Sequence, residues 1–439
     1  MTGVEVGLIS IIAILILIYA GMYIPVALGL TSFTAVWYLR GGLEAPTYLV
    51  TLAASNSLED YVFGVVPLFV LMGLVVSHAG MGRDIYQVAN QLFRAVRGGL
   101  GVATVAANAA FAAITGVSIA SASVFTRVAV PEMMRFGYTP RFAVGVVAGS
   151  SVLGMLIPPS VMLIIYAIIT EQSVAALFKA GIIPGIMLAL AYITAIVVMA
   201  TFFPKYVGGQ TKADIDKAAL ERFSKRELFG KSGPLVLLVM LVLGGIYGGV
   251  FTPTEAGAVG ALGALIIAYV KRKLDRKVLW EVLVEAGHIV ASILMLIVAA
   301  TMYSRMLGIS GLPTELGEWI AGTGLGLYGI LSIYVVLLIV LGTILDTTSI
   351  ILIMVPLFLP VIAPFNVDLV WFGIITIVGA EIGLLTPPLG ISCYVIKSTL
   401  DDERITLYDI FAGAFPFAVI MLLVLILLII FPQLSLVLV

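Results

Sequence analysis

Two stretches of the chain set its architecture: MLIPPSVMLIIY at 155–166 and LLTPPLGISCYV at 384–395. Each places a Pro-Pro pair inside an apolar run that is long enough to cross a membrane. Proline lacks a backbone donor and clashes with the preceding turn, so we expect both helices to be interrupted. The carbonyls freed there need partners in a medium without water, and a cation is one such partner. A proline kink satisfied by neighbouring helices is the alternative, but two equivalent breaks favour a binding site.

The two stretches belong to an internal repeat, because three pairs of segments match in the same order. The pairs are GMYIPVALG (21–29) with GVFTPTEAG (249–257), MLIPPSVMLIIY with LLTPPLGISCYV, and AGIIPG (180–185) with AGAFPF (412–417). Their offsets, measured between prolines or first residues, are 228, 229 and 232 positions. The halves are therefore about 20–205 and 248–431.

The composition indicates an integral membrane protein. Of 439 residues, 62% are hydrophobic and 11% charged, whereas soluble domains are about 45–50% apolar and 25% charged. This excludes a cytosolic enzyme and a secreted disulfide domain, and 23 basic against 24 acidic residues gives no basic excess for nucleic acid. One cysteine, Cys393, and two histidines do not make a usual zinc site. The acidic stretch before Leu8 is unlike a cleaved signal peptide.

The apolar runs predict an all-α polytopic fold, since β-barrel alternation is absent. The runs are 5–22, 25–40, 62–80, 141–169, 181–203, 234–251, 254–270, 288–308, 369–396 and 411–431. Two further stretches, 98–130 and 324–360, are too long for one span and too rich in small polar residues for two.

Loop charges predict the orientation of the spans. Loops 82–97, 204–233 and 271–277 are basic and should face the cytoplasm, whereas 41–61 and 309–323 contain no Lys or Arg and should face outward. Both termini then lie outside, provided that 98–130 and 324–360 are re-entrant hairpins. Equivalent loops of the two halves lie on opposite faces, so the repeats are inverted. Inverted repeats with broken helices are typical of secondary transporters, although a purely structural duplication is the alternative.

The hairpins carry the polar residues that suit a site. The first contains AAITGVSIASAS and the second LGTILDTTSI, whose hydroxyls could bind a hard cation or simply allow close helix packing. Asp346 is the most informative residue, because a carboxylate in an apolar stretch is costly and usually functional. It has no basic neighbour in sequence, so a monovalent cation is expected to neutralise it.

Other intramembrane charges have more ordinary interpretations. Glu255 follows TPTE and is expected to cap a helix. Glu381 could join the site or pair within the scaffold. Arg127 could snorkel or meet an anionic substrate. His78 and His288 lie near span ends and are interpreted as interfacial residues.

Amphipathic segments near 83–97 and 278–287 are interpreted as interfacial arms that carry a mobile domain, with ordinary surface helices as the alternative. The predicted division has five parts: scaffold helices and first arm (1–97), first half of the transport domain (98–180), scaffold helices with loop 204–233 and second arm (181–308), second half of the transport domain (309–410), and a C-terminal span (411–439).

The chain resembles the large membrane subunit of a TRAP (tripartite ATP-independent periplasmic) transporter. The similarity covers almost the whole chain and is carried by PLFVLMG (67–73), residues 131–185, LDTTSIILIMVPLFLP (345–360) and EIGLLTPPLGIS (381–392). It implies sodium-coupled uptake of an organic acid by an elevator motion in the bacterial cytoplasmic membrane. It also implies two partners, a small four-helix membrane subunit and a soluble substrate-binding protein. No cofactor is implied beyond sodium as the coupling ion.

The resemblance also assigns expected roles to residues. Sodium is expected at Ser118, Asp346, Thr347, Thr348, Gly383 and Thr386. Substrate is expected at Thr115, Ser121, Ser123, Pro158, Ser160, Pro387 and Arg127. The family usually follows its first-hairpin serines with small residues, whereas this chain has Phe125 and Arg127 there.

Two rival functions remain at the level of sequence. One is a cation-coupled carboxylate symporter that works without a binding protein. The other is an intramembrane enzyme, for which no H-E-x-x-H motif or Cys/His pair is present, and Asp401-Asp402 lacks the last Asp of a DDxxD motif. The substrate could be sialic acid, a C4-dicarboxylate, another sugar acid, or an amino or keto acid.

Overall fold

The computed structural model describes residues 1–59, 61–209, 223–322, 324–400 and 402–439. Within these ranges the chain is helical throughout, apart from an isolated bridge between Tyr138 and Gly208. The all-α prediction is therefore confirmed. Part of the basic loop 204–233 lies outside the described residues, as do Asp60 and Asp401.

The first half contains twelve described helices. They are α1 (Gly3–Tyr19), α2 (Ile24–Arg40), α3 (Glu44–Glu59), α4 (Val65–His78), α5 (Met81–Phe93), α6 (Gly99–Thr115), α7 (Ser118–Arg135), α8 (Pro140–Ser151), α9 (Leu153–Leu156), α10 (Val161–Thr170), α11 (Val174–Phe202) and α12 (Pro204–Val207). A 3-10 turn, Tyr61–Gly64, precedes α4.

The second half contains ten described helices. They are α13 (Lys225–Tyr247), α14 (Pro253–Val270), α15 (Arg276–Ser310), α16 (Leu312–Gly322), α17 (Leu327–Gly342), α18 (Thr347–Ile362), α19 (Leu369–Leu384), α20 (Ile391–Thr399), α21 (Leu407–Ile430) and α22 (Gln433–Leu436). A 3-10 turn, Ala363–Phe365, follows α18.

The repeat in the sequence is a repeat of helices. At an offset near 229 positions, α1 and α2 correspond to α13 and α14, and α5 corresponds to α16. The long α15 occupies the place of α3 and α4 together. The helical hairpin α6–α7 corresponds to α17–α18, and α8–α10 corresponds to α19–α20.

Seven described helices are long and apolar enough to cross a membrane, or eight if the bent pair 140–156 and 161–170 counts as one span. The apolar helices α1, α6, α17 and α19 are shorter, at 17, 17, 16 and 16 residues. The chain is therefore a multi-pass membrane protein in which several apolar segments are too short for an ordinary span.

Both predicted hairpins are present. Hairpin 1 is α6 and α7, joined by Gly116 and Val117; Gly116 is left-handed at φ 60° and Val117 is extended, so the chain reverses in two residues. Hairpin 2 is α17 and α18, joined by Thr343–Asp346. In each hairpin the two helices pack against each other.

Both Pro-Pro pairs interrupt a helix, as predicted. Broken helix 1 (α8–α10) stops at Leu156 and restarts at Val161, with a bend of 41°. Broken helix 2 (α19–α20) stops at Leu384 and restarts at Ile391. Both Pro-Pro peptide bonds are cis.

Two sequence predictions were wrong in detail. The expected loops 41–61 and 309–323 largely form the helices α3 and α16. Helix α3 (EAPTYLVTLAASNSLE) is too polar to register as an apolar run. The predicted second arm at 278–287 runs without a break into the following apolar segment, within the 35-residue α15, and its role as an arm stays a prediction. By position in the repeat, the counterpart of the amphipathic α5 is α16.

The helices pack in two groups. One contains α2, α3, α4, α14 and α15, which pack against one another; the other brings α8 onto α21 and α17 onto α19. Helices α8 and α21 are in close backbone contact, and glycine at position 145 permits it. A Cβ on Gly145 would lie 2.2 Å from the carbonyl oxygen of Gly413. Beside this contact Arg141 donates to Asp409 at 2.8 Å. The five-part domain division remains a prediction.

Candidate functional site

Four helices begin at one cavity. Its volume is about 740 Å³, and its walls include Val117, Val161, Thr347 and Ile391. These residues lie at the amino ends of α7, α10, α18 and α20. Helix amino ends carry unpaired amides and the positive end of the helix dipole. The two hairpins and the two broken helices therefore aim four such ends at one place.

Both groups of helices line the cavity. The polar side chains in its wall are Ser77, His78, Thr115, Ser123, Glu285, His288, Ser292, Asp346, Thr347, Thr348, Ser398 and Thr399. Most of the other lining residues are apolar, including Met155, Met162 and Leu384. The cavity is thus an apolar chamber with scattered hydroxyls, typical of a small-molecule site.

One end of the cavity lies beside the basic loops. His78 closes α4, shortly before the basic segment 82–97, and Glu285 and His288 follow the basic segment 271–277 along α15. His78 Nε2 lies 3.7 Å from Glu285 Oε2. By the positive-inside rule this end of the cavity faces the cytoplasm.

The tip of hairpin 1 is fitted onto broken helix 1. The amide of Val161 donates to the Gly116 carbonyl at 3.2 Å. A Cβ on Gly116 would lie 2.5 Å from the Pro159 carbonyl oxygen, so only glycine fits this turn. The Ser118 hydroxyl beside it is fully buried and has no hydrogen-bond partner among the described residues. An unpaired buried hydroxyl is a candidate ligand, because leaving it unpaired costs free energy.

The tip of hairpin 2 is fitted onto broken helix 2 in the same way. The amides of Leu389 and Gly390 donate to the Thr343 carbonyl at 3.1 and 3.2 Å. Gly342 and Gly383 are in backbone contact, since a Cβ on Gly383 would lie 2.5 Å from the Gly342 Cα. Each hairpin tip is therefore hydrogen-bonded to the break of its own repeat.

Asp346 caps the second helix of hairpin 2. Its carboxylate accepts hydrogen bonds from the Ser349 amide at 3.3 Å and from the Ser349 hydroxyl. None of the ion pairs found among the described residues includes it. It is half-buried and lines the cavity, so its charge faces the site without a basic partner.

Thr347, the next residue, joins the cavity wall to broken helix 2. Its hydroxyl donates to Glu381 Oε1 of broken helix 2 at 2.6 Å. On the other side of hairpin 2, the Thr348 hydroxyl lies 3.5 Å from the Met162 sulfur of broken helix 1. Hairpin 2 thus contacts both broken helices.

A second cavity also reaches Asp346. It has a volume of about 560 Å³ and is lined by the α1–α2 turn (Gly21–Tyr23), by Ser292–Leu296 of α15 and by Asp346, Thr348 and Ser349. Asp346 therefore lies at the junction of two cavities.

The predicted site residues fall into three groups. Those that line the central cavity are Thr115, Ser123, Asp346, Thr347 and Thr348. Those that are buried next to it, at the hairpin tips and breaks, are Ser118, Ser121, Pro158, Ser160 and Gly383. Those that are exposed or half-buried outside the cavity wall are Arg127, Thr386 and Pro387.

Several of these side chains are already engaged in the fold. Ser160 caps α10 and donates to the Met155 carbonyl, and Thr386 donates to the Ile382 carbonyl at 2.8 Å. The exposed Arg127 does not contribute its charge to the central cavity. Glu255 forms a capping box with Thr252, so its expected capping role is confirmed.

The sequence missed the part of the wall that comes from the first group of helices. His78 and His288 were interpreted as interfacial residues with no part in the site, and both line the cavity. A signal was present: Glu285, His288 and Ser292 recur at helical spacing on one face of α15. Their partner helix α4 lies more than 200 residues away in the sequence, and no spacing rule connects the two.

Comparison with known proteins gives consistent matches along the whole chain. Residues 11–434 match the family described as "Tripartite ATP-independent periplasmic transporter, DctM component". The C4-dicarboxylate TRAP transporter large permease protein DctM of Rhodobacter capsulatus is 32% identical over 437 residues, covering 96% of each chain. The sialic acid TRAP transporter large permease protein SiaM of Vibrio cholerae is 31% identical, covering 97% of each. These relatives are named as transporter permeases, not as enzymes.

Solved structures agree on the fold. The YdaH transporter of Alcanivorax borkumensis superposes with a TM-score of 0.58 at 13% identity, covering 89% of this chain and 90% of that one. MtrF of Neisseria gonorrhoeae also superposes with a TM-score of 0.58, at 12% identity, covering 88% of this chain and 84% of that one. The chain therefore belongs to the DctM family of TRAP transporter large permeases, which are multi-pass proteins of the bacterial inner membrane. The family match, the relatives and the repeated hairpins and broken helices all agree with this conclusion.

Proposed function

We propose that this permease carries out sodium-coupled uptake of a small organic acid anion, which it receives from a soluble binding protein. The observation that carries the proposal is the convergence of four helix amino ends and an unpaired carboxylate on one cavity. Such an arrangement offers backbone amides to an anion and oxygen ligands to a cation within the same space.

Two sodium positions follow from the repeat. Ser118 and Thr347 each begin the second helix of a hairpin and lie 229 positions apart. The first position would combine the Gly116–Ser118 tip with the break before Ser160. The second would combine Asp346, Thr347 and Thr348 with the break from Gly383 to Thr386. Hydroxyl, carboxylate and backbone oxygens are ligands suited to a hard cation.

The substrate is proposed to be an anion recognised mainly without arginine or lysine. The residues lining the central cavity include no Lys or Arg, and their only basic side chains are His78 and His288. Recognition would then use hydroxyls such as Thr115 and Ser123, helix amino ends and the bound sodium. The relatives named for C4-dicarboxylates, sialic acid and isethionate handle anions of this general kind.

The proposed partners are a small membrane subunit and a soluble substrate-binding protein. The isethionate permease protein DctMQ of Oleidesulfovibrio alaskensis supports the first, because this chain covers only 59% of that protein. The remaining length leaves room for a second subunit in the same polypeptide. The exposed apolar residues of α1, α13 and α21 offer surfaces for lipid or for such a subunit.

Transport is proposed to follow an elevator motion. The hairpins and broken helices would move as one body against the group α2, α3, α4, α14 and α15. The contacts that join each hairpin tip to its own break support this, since they tie the moving parts to one another. A cation-coupled symporter that needs no binding protein is the second candidate, and uptake by proteoliposomes without a soluble partner would favour it.

The test of sodium coupling is uptake by proteoliposomes that contain the complete transporter, measured over a range of sodium concentrations. We expect Asp346→Asn to raise the sodium concentration for half-maximal uptake about tenfold, equivalent to ~1.4 kcal/mol. Asp368→Asn is the matched control, because Asp368 also caps a helix, α19, but does not line the cavity. An unchanged sodium dependence in Asp346→Ala would overturn the proposal.

A further inference from the structure

Two arginines that are far apart in the sequence line one cavity. Arg40 is the only Lys or Arg among residues 1–82, and Arg305 is the only one among residues 278–396. Arg40 is the last residue of α2, and Arg305 lies near the end of α15 at Ser310. Both line a cavity of about 690 Å³, which we call the outer cavity. The only such bases of two long stretches therefore meet at one place.

The side of the membrane makes this pair of arginines informative. The segments that follow them, 41–61 and 309–323, contain no Lys or Arg and are predicted to face outward. Lys and Arg are normally concentrated on the cytoplasmic side of a membrane protein. Two arginines that share a cavity on the opposite side are therefore expected to have a specific anionic partner.

The described residues do not supply that anion. None of the ion pairs found among them includes Arg40 or Arg305. The described residues that line the outer cavity include no Asp or Glu. Arg305 has a neutral partner: its Nη2 donates to the Asn56 amide oxygen at 3.0 Å when that amide is oriented so that its nitrogen donates to the Leu52 carbonyl. The dipole of α2 favours Arg40 at its end, but it amounts to about half a charge and leaves the guanidinium donors free.

The rest of the wall is mainly apolar. Val36, Leu49, Leu52 and Ile309 line the outer cavity together with Tyr48. A water molecule in the liquid takes up about 30 Å³, so the cavity is much larger than a single phosphate ion. A ligand that fills it therefore combines an anionic group for the two arginines with an apolar part for the remaining wall.

Exposed aromatic residues indicate the depth of the outer cavity in the membrane. Trp37 and Tyr38 lie in the last turn of α2, Tyr48 lies near the start of α3, and all three are exposed. Trp and Tyr concentrate at the level of the lipid headgroups. The outer cavity, which Tyr48 lines, therefore lies at the depth of the lipid phosphates. An acidic segment of a soluble partner would dock above that level.

We propose that the outer cavity binds a phospholipid with a net negative charge. Arg40 and Arg305 hold its phosphate, and the apolar wall receives the first part of its acyl chains. The planar guanidinium group suits this role, because its paired donors match two phosphate oxygens at once. The bound phosphate would join the outer ends of α2 and α15, which also pack against each other. The inference does not depend on the transported substrate or on the coupling ion.

The direct test is native mass spectrometry of the purified full chain, titrated with phosphatidylglycerol and with phosphatidylethanolamine of the same acyl chains. We expect phosphatidylglycerol to bind more tightly, because the cavity has no acidic group for the ammonium of the second lipid. Arg40→Gln and Arg305→Gln should each weaken phosphatidylglycerol binding about fivefold and leave the other lipid nearly unchanged. Equal binding of both lipids by the wild type would overturn the proposal.

Arg97→Gln is the matched control for general electrostatic attraction. Arg97 is also exposed and belongs to none of the ion pairs found among the described residues, but it lies in the basic segment 82–97 on the predicted cytoplasmic side. It should bind phosphatidylglycerol as the wild type does. A loss in Arg97→Gln as large as that in Arg40→Gln would mean that any surface arginine attracts the lipid, which contradicts a built site.

Two further arms separate a lipid from a free anion. Inorganic phosphate at millimolar concentration should not displace phosphatidylglycerol, since it cannot use the apolar wall. Ile309→Ser keeps both arginines but removes part of that wall, so we expect about threefold weaker lipid binding. Displacement by inorganic phosphate, with Ile309→Ser unchanged, would show that the cavity takes a free anion and would overturn the proposal.

Thermal unfolding separates loss of the site from misfolding and from a protein ligand. Phosphatidylglycerol should raise the unfolding temperature of the wild type but not that of the double variant Arg40→Gln/Arg305→Gln, because only the wild type binds it tightly. Without lipid the two should unfold at similar temperatures. The double variant Arg40→Lys/Arg305→Lys keeps both charges and should retain part of the stabilisation, so it provides a second test if the first variant misfolds. If the arginines served an acidic segment of a protein partner, the Gln variant would keep its full stabilisation by the lipid, and this outcome contradicts the proposal.

Discussion

The two Pro-Pro breaks occupy equivalent places in the repeat but differ in their surroundings. In broken helix 1, Pro158, Pro159 and Ser160 are all buried, whereas in broken helix 2, Pro387, Pro388 and Leu389 are all exposed. Each break is hydrogen-bonded to the tip of its own hairpin. The difference therefore comes from other elements and not from the breaks themselves.

Helix α11 covers the first break. A Cβ on Gly181 would lie 2.6 Å from the Leu156 carbonyl oxygen, and one on Gly185 would lie 2.7 Å from Ile157. In the second half, α21 occupies the equivalent position, and its Gly413 instead contacts α8 at Gly145. Helix α21 thus joins the two halves and also touches the second break, where its Phe411 ring lies against Gly390, while Pro387, Pro388 and Leu389 stay exposed. The two halves of the repeat therefore share the hydrogen bonds between hairpin tip and break, but they differ in how the following helix packs against that break.

The largest expected effect concerns the covered break. Gly116→Ala places a Cβ against the Pro159 carbonyl and forces alanine into a left-handed conformation. We expect a loss of about 3 kcal/mol in the free energy of unfolding, from backbone strain and overpacking together. Thermal unfolding of the purified protein would measure this loss.

Gly21→Ala is the control for backbone strain alone. Gly21 also has a positive φ, 90°, but a Cβ there would meet nothing within 4 Å. Its cost should be about 1–2 kcal/mol from the positive φ alone, without overpacking. Equal losses in the two variants would show that the fit of hairpin 1 on its break adds nothing to stability.

The second prediction compares the exposure of the two breaks directly. Ser160 and Leu389 lie 229 positions apart, and their exposed fractions are 0% and 41%. The single native cysteine, Cys393, is buried, so variants with one added cysteine can be compared with little background. We expect Leu389→Cys to react quickly with a water-soluble maleimide and Ser160→Cys to react slowly. Similar rates would contradict the difference described above.

The smallest expected effect concerns the ion pair between α8 and α21. Arg141 and Asp409 are partly exposed, with side-chain exposures of 42% and 26%. Such pairs contribute about 0.2–1 kcal/mol, so Arg141→Gln should lower stability by no more than that. The loss should shrink at high salt, as measured by thermal unfolding at two ionic strengths. A loss of several kcal/mol would mean that α21 depends on this pair more than on the Gly145–Gly413 contact.

Sequence patterns predicted those features that depend on local chemistry or on the repeat. Proline chemistry predicted both breaks, and the loop charges together with the length of 98–130 and 324–360 predicted both hairpins. The offset of 229 positions links Ser118 with Thr347 through the repeat alone. Asp346 was singled out from its charge alone, and it does line the cavity.

The remaining features depend on which helices become neighbours. Thr347 and Glu381 are 34 residues apart in different elements, so no periodicity joins them. Helix α3 escaped notice because its polar composition resembles a loop. Pro387 is exposed whereas Pro158 is buried, although the two Pro-Pro motifs are alike in sequence. These features result from packing between helices that are distant in the sequence, and no local sequence pattern predicts them.

The length of α15 has a consequence for release into the cytoplasm. Its 35 residues extend about 52 Å, roughly 20 Å more than the hydrocarbon core is thick. The α1–α2 turn lies beside Ser292–Leu296, so the segment of α15 that precedes Ser292 extends beyond that turn. Glu285 and His288 lie on this extension and form the rim of the central cavity. On the proposed import route, an anion that reaches them would have left the low-dielectric layer and regained its hydration, so its exit would meet no further Born barrier.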